Sequence, residues 1–198
     1  MIYVLIGAVG FLIGCAMELP QTRDARGVRP LLAGVALVLI GWSIVMASLS
    51  GERLWIPAWL TVAGGTTLPL AFGLLVYSMF LELHFRRTYI QSHSGPHLTT
   101  KGTYALVRHP TLLWFAIGIV SLVLLTHSQL LLIALPIWLA LDTLWVLLQD
   151  RLSLPRAFPG YRDYQKATPM IVPNRQSLRA CLSTIRSTSR ASARPLGR

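Results

Sequence analysis

The sequence predicts an all-α, polytopic membrane helix bundle of about five transmembrane helices, the last two forming a hairpin, followed by a cytoplasmic amphipathic segment. Three observations carry that expectation. Apolar residues make up 54% of the 198 positions and charged residues only 13%, well below the roughly 25% charged of a soluble domain. Apolar runs near the ~20 residues that cross the hydrocarbon alternate with short polar connectors. Lys and Arg concentrate in alternate connectors, the asymmetry that orients membrane proteins.

The first run, Ile2 to Leu19, is apolar except for Glu18 near its end. It lacks the basic leading region and small-residue cleavage site of a signal peptide, so it is read as a retained helix. The connector Pro20 to Arg29 holds Arg23, Arg26 and Arg29 against Asp24, and Leu31 to Leu49 is the second span. Gly51, Glu52 and Arg53 make a tight, nearly neutral turn. Leu54 to Leu81 is longer than one crossing needs and is interrupted by Pro57, Gly64, Gly65 and Pro69, which predicts a tilt or kink. After the polar segment Glu82 to Pro110, the runs Leu112 to Leu125 and Leu130 to Leu148 are split only by His127, Ser128 and Gln129, with Pro136 inside the second. They read as the hairpin.

The basic connectors are Pro20 to Arg29, Glu82 to Pro110 and everything after Gln149, while the two intervening turns carry almost no charge. An odd number of spans then places the amino terminus outside and the carboxyl terminus in the cytoplasm. The net charge of +11 comes from 18 Lys and Arg against seven acidic residues, and none of the acidic ones follows Asp163. On a membrane protein this excess points to anionic lipid rather than nucleic acid. Cys15 and Cys181 imply neither a disulfide framework nor a metal site. Residues 1–173 form the integral membrane domain, with 1–97 as scaffold helices. The basic tail 174–198 has too little apolar content for a core and reads as disordered. Its Leu178, Leu182 and Ile185 leave open a short amphipathic helix on the anionic leaflet.

The one long polar stretch between apolar blocks that carries chemistry is Leu98 to Thr111, LTTKGTYALVRHPT. Pro110 stands where the next helix should begin, a position that suits proline because the first helical N–H is unpaired in any case. A helix start collects unpaired N–H groups and the positive end of the macrodipole, so it favours a carboxylate or phosphate. Arg108 and His109 sharpen that preference. Taken singly, these residues have plainer readings. Arg108 and Lys101 suit positive-inside charge, His109 a bond to a backbone carbonyl, and Tyr104, Tyr161 and Tyr164 an interfacial aromatic belt.

Taken together, GTYALVRHPTLLW, the hairpin and then FPGYRDYQKATPMIVP resemble the carboxyl-terminal half of the isoprenylcysteine carboxyl methyltransferase and phospholipid methyltransferase superfamily. The resemblance covers about Leu98 to Pro173. It implies an integral membrane enzyme using S-adenosylmethionine to methylate a lipophilic acceptor, with Gly102, Tyr104, Arg108, His109 and Pro110 in the cofactor motif. Tyr161 and Tyr164 offer aromatic faces to the cationic sulfonium. The family usually carries two glutamates at the end of the hairpin's second helix, and here those places hold Asp150 and Arg151. The resemblance thus implies roles for Asp150 in cofactor binding and catalysis, with Arg108 as the other catalytic candidate. The inverted charge at Arg151 motivates an alternative, a catalytically inactive relative that binds lipid or assists assembly at the membrane. A transporter is a further alternative, opposed by the scarcity of charge within the spans.

Glu18 and Asp142 are the intramembrane ionisable residues, hence functional candidates, although both lie near enough to segment ends to be snorkelling or hydrogen-bonded. His93 and His97 are four apart, but Ser94, Gly95 and Pro96 between them oppose a metal-binding helical face. No metal is expected. Oligomeric state is left open, with Gly64 and Gly65 permitting close helix approach.

Overall fold

A computed structural model describes residues 1–19, 27–82, 98, 100 and 102–192. Residues 20–26 and 83–97, with His84, His93 and His97, and also Lys101, lie outside the described residues. Every regular element among those described is helical: α1 (Ile2–Ala16), α2 (Val28–Leu49), α3 (Ala58–Val76), α4 (Thr103–Leu106), α5 (Pro110–Thr126), α6 (Gln129–Leu148), α7 (Leu154–Ala157), α8 (Tyr161–Ala167) and α9 (Arg175–Ser192). Two π-helical turns, Tyr77–Glu82 and Gln149–Ser153, continue α3 and α6. Among the described residues, three helices are long and apolar enough to cross a membrane: Val28–Leu49, Ala58–Met79 and Gln129–Ala157. Ile2–Met17 and Pro110–Thr126 are shorter apolar helices. On α2 the side chains of Leu31, Val35, Val38, Trp42, Val45 and Leu49 are exposed at helical spacing, the apolar stripe of a helix whose solvent is lipid.

The chain divides into two compact units, one of Met1–Gly73 with Trp114–Leu154 and one of Leu74–Leu113 with Pro155–Arg198. In the first unit the core is built from Val4, Phe11, Ile40, Ala47, Ile119, Val123, Leu131 and Trp138. Small residues on α1 let large ones on α6 come close. A Cβ on Gly7 would lie 2.7 Å from the Trp138 ring, and one on Gly14 would lie 2.7 Å from Trp145. Trp138 Nε1 also donates to the Val4 carbonyl at 3.0 Å. Because the partners on both helices rise together in number, α1 and α6 run parallel.

At one end of this unit the two nearly neutral turns fasten each other. Leu54 N–H donates to His127 O at 2.7 Å and Gln129 N–H to Glu52 O at 3.1 Å. Arg53 Nη1 donates to Ser48 O at 2.8 Å and Thr126 O at 2.6 Å, satisfying carbonyls that the ends of α2 and α5 leave unpaired. Ser128 caps α6, its Oγ accepting from Leu131 N–H at 3.2 Å. Trp55 and Trp59 are exposed beside this end, where amphipathic rings suit a membrane interface.

In the second unit the described part of the tail is helical, as α9, a longer helix than the short amphipathic one left open by the sequence. Composition gave no core to hold it, but the local capping chemistry was overlooked. Ser177 N–H donates to Asn174 Oδ1 at 2.7 Å, and Asn174 N–H donates to Ser177 Oγ at 3.0 Å, a reciprocal capping box. Ser177 and Cys181 are buried, and Leu178 and Leu182 are about half exposed.

Candidate functional site

The site begins at Gly102. Its φ of 58° and ψ of −130° place it where only glycine sits without strain, and its N–H donates to Thr184 Oγ1 on α9 at 3.1 Å. That turn starts α4, which buries Thr103, Tyr104 and Ala105. Thr103 Oγ1 and Ser78 Oγ share a hydrogen bond at 3.0 Å, and Tyr104 OH donates to Ser78 O at 3.3 Å. Val107 is extended and fully buried, so the chain leaves α4 as a short straight segment. Arg108 N–H then donates to Pro169 O at 2.9 Å and His109 N–H to Met170 O at 3.2 Å. Pro110 opens α5, as its fixed φ predicts.

The Arg-His-Pro segment is thereby paired with the strand-like stretch that follows α8. Arg108 Nη1 donates to Gln165 O at 2.6 Å and Thr168 O at 2.9 Å, closing the carboxyl end of α8. Tyr164 OH donates to Tyr104 O at 2.5 Å. Tyr161 and Tyr164 lie on one face of α8, as their spacing predicts, with ring centroids 5.8 Å apart and planes at 68°. His109, Tyr104, Tyr161 and Tyr164 are all buried. Gly102, Tyr104, Arg108, His109, Pro110, Tyr161 and Tyr164 thus belong to one unit. Arg108 differs from the expectation of a free anion ligand in one respect, because part of its guanidinium is committed to backbone carbonyls.

Asp150 belongs to the other unit, on the π-helical turn after α6. Asp150 is buried, whereas Arg151 next to it is exposed. The two positions that hold acids in the resembled family therefore face different surroundings, and the inverted charge of Arg151 does not share the buried one. In the same unit Glu18 is 1% exposed and is neither snorkelling nor unpaired. It accepts from Arg29 Nη2 at 3.3 Å, Trp145 Nε1 at 3.3 Å, Gln149 Nε2 at 3.3 Å and Ser153 Oγ. Sequence reading marked Glu18 as a candidate but had no signal for donors more than a hundred residues away. Ser78, Thr103 and Thr184 were missed outright, since single hydroxyls in apolar or Ser-rich runs have no distinguishing pattern. Among the described residues, no three His, Cys, Asp or Glu side chains gather as a metal site.

The described residues form a helical protein with three helices long and apolar enough to cross a membrane, and one of its two compact units buries Tyr104, His109, Tyr161 and Tyr164. The chain is 28% identical over 153 residues to the nickel-cobalt-cadmium resistance protein NccN of Alcaligenes xylosoxydans xylosoxydans. The match covers 77% of this chain and spans 66% of that protein's length. No family model and no solved structure matches the chain.

Proposed function

We propose that the protein is an integral membrane S-adenosylmethionine-dependent methyltransferase acting on a lipophilic acceptor. The observation that carries this reading is the pairing of the Gly-x-Tyr/Arg-His-Pro segment with the Tyr-x-x-Tyr segment, through the Tyr164 to Tyr104 bond and the two backbone bonds from Arg108 and His109. Two sequence motifs some fifty positions apart form one buried unit, as a shared ligand would require. Their donor set fits the proposed group in chemistry. An imidazole and the start of a 17-residue helix suit an amino-acid carboxylate, and tyrosine faces suit a sulfonium.

When bound, S-adenosylmethionine supplies an electrophilic methyl group. The chain's own residues bind, orient and exclude water. His109 and the first turn of α5 would hold the cofactor's carboxylate, Tyr161 and Tyr164 would offer aromatic faces to its sulfonium, and Arg108 holds the end of α8 through Gln165 O and Thr168 O. The cofactor and catalytic role that the resemblance implies for Asp150 is kept as part of this proposal. Methyl transfer to a thiolate, a carboxylate or a neutral amine would break the sulfonium S–CH3 bond and release S-adenosylhomocysteine, and with the acceptor already deprotonated it needs little acid or base assistance, so positioning supplies most of the acceleration. The five-span topology, with the site on the cytoplasmic side, belongs to the same proposal.

Calorimetry of S-adenosylmethionine against the detergent-purified protein tests the reading. Wild-type binding that is lost in a folded His109→Ala variant is the expected result. A folded wild type without affinity at high cofactor concentration overturns it.

The likeness to a metal resistance protein favours a second reading, in which the chain contributes to tolerance of nickel, cobalt or cadmium. Methylation of a membrane component and a non-catalytic assembly role are both compatible with it. Cells carrying the wild type or His109→Ala, challenged with cadmium while labelled methyl incorporation into membranes is followed, separate the two. Tolerance that survives loss of labelling favours assembly.

A further inference from the structure

We infer that Glu18 is the positioning residue for Asp150, fixing from the turn after α1 the rotational phase of the π-helical turn that carries it; the consequence for cofactor binding rests on the methyltransferase reading. Three of the donors to Glu18 lie on one continuous element, Trp145, Gln149 and Ser153, at spacings of four. In a π-helical turn each residue advances by a little under a quarter turn. Gln149 and Ser153 therefore stand almost one above the other, both toward Glu18. Asp150 is then about a quarter turn away and Arg151 about half a turn away. Their burial agrees, with Asp150 5% exposed and Arg151 exposed.

The hydrogen bonds and the geometry reinforce each other. Residues four apart share a face in an α-helix as well, so Trp145, Gln149 and Ser153 line one side of α6 and its continuation toward Glu18. A π turn has no intrinsic advantage over an α turn and persists where tertiary contacts hold it. Glu18 is such a contact. It is a buried carboxylate with charge-assisted bonds, itself anchored by Arg29 through a salt bridge of 3.3 Å. The residue that aims Asp150 thus comes from the turn just after the first helix, outside the methyltransferase-like motif.

The test uses the full chain in detergent, with Cys15→Ala and Cys181→Ala removing the native thiols. The alkylation rate of the Asp150→Cys variant is compared with that of Arg151→Cys, each with and without Glu18→Gln. We expect the slow reaction at position 150 to speed up by about tenfold or more, while position 151 changes little. In the otherwise native protein, Glu18→Gln should weaken S-adenosylmethionine binding about tenfold or more, and Glu18→Gln combined with Asp150→Asn should bind no worse than Asp150→Asn alone. A lower unfolding temperature with unchanged alkylation and affinity would reduce Glu18 to a structural role and overturn the inference, as would additive affinity losses. Should Glu18→Gln fail to fold, Ser153→Ala removes one of the two turn contacts and carries the same comparison. A wild type with no cofactor affinity removes the methyltransferase reading alone, because the alkylation pattern still decides whether Glu18 sets the turn.

Discussion

At residue scale, the glycines separate into positions that need the missing side chain and positions that do not. Gly102 combines positive φ with a ψ of −130°, and a Cβ there costs about 1–3 kcal/mol. Gly102→Ala should lower the unfolding temperature and release the Thr184 contact. Gly34 has open space around its Cβ position and lies inside α2, so Gly34→Ala should be neutral or stabilising by about 0.5–1 kcal/mol. Thermal unfolding of both variants in one detergent makes the comparison, and equal effects would mean that the turn at Gly102 is not strained. The sequence marks Gly102 through the Gly-x-Tyr motif, but nothing in it separates Gly7 from Gly34. That distinction exists only once Trp138 has been folded against α1, and a partner 131 positions away leaves no local trace.

At the scale of elements, the apolar blocks were legible and their ends nearly so, because hydropathy and the residues at Gly51–Arg53 and His127–Gln129 act locally. The π turn at Gln149–Ser153 and the parallel contact of α1 with α6 were not, since each depends on geometry or a distant partner, whereas the Asn174–Ser177 capping box of α9 is local and was legible in principle. Two expectations follow from these contacts. Gly7→Ala pushes a methyl into the Trp138 ring, an overpacking cost of about 1–3 kcal/mol. Trp138→Leu should relieve part of it, so the double variant is less destabilised than the two single losses added together. A fully additive pair would mean that α1 and α6 separate freely at this point. Arg108 gives the second expectation. Removing its bonds to Gln165 O and Thr168 O uncaps a seven-residue helix, worth about 1–3 kcal/mol. Arg108→Ala should speed amide hydrogen exchange throughout α8 and leave α1 and α6 unchanged. Exchange that rises in both units alike would show that Arg108 supports the whole fold rather than one helix.

For the whole molecule, the expectation that decides most is the parity of crossings. Between the turn at Glu52 and the start of α9 the chain passes through α3, α5 and α6. Two of these are long enough to cross, but α5 has 17 residues, about 26 Å at the helical rise and slightly short of the ~30 Å core. If α5 crosses with local thinning of the bilayer, three passages put Glu52 and Gln176 on opposite sides; if it does not, the parity changes. The hydrogen-bonded pairing of the Glu52 and His127 turns favours a full crossing, because α3 leaves that end and α5 returns to it. In the proposed topology that end would be the outer one, since it is poor in basic residues apart from Arg53. In intact cells, with Cys15→Ala and Cys181→Ala as background, a membrane-impermeant maleimide should label Glu52→Cys and leave Gln176→Cys untouched until the membrane is opened. The reverse pattern would invert the orientation while keeping the parity. Labelling of both variants from one side would remove a crossing, and α5 would be the helix to lose it.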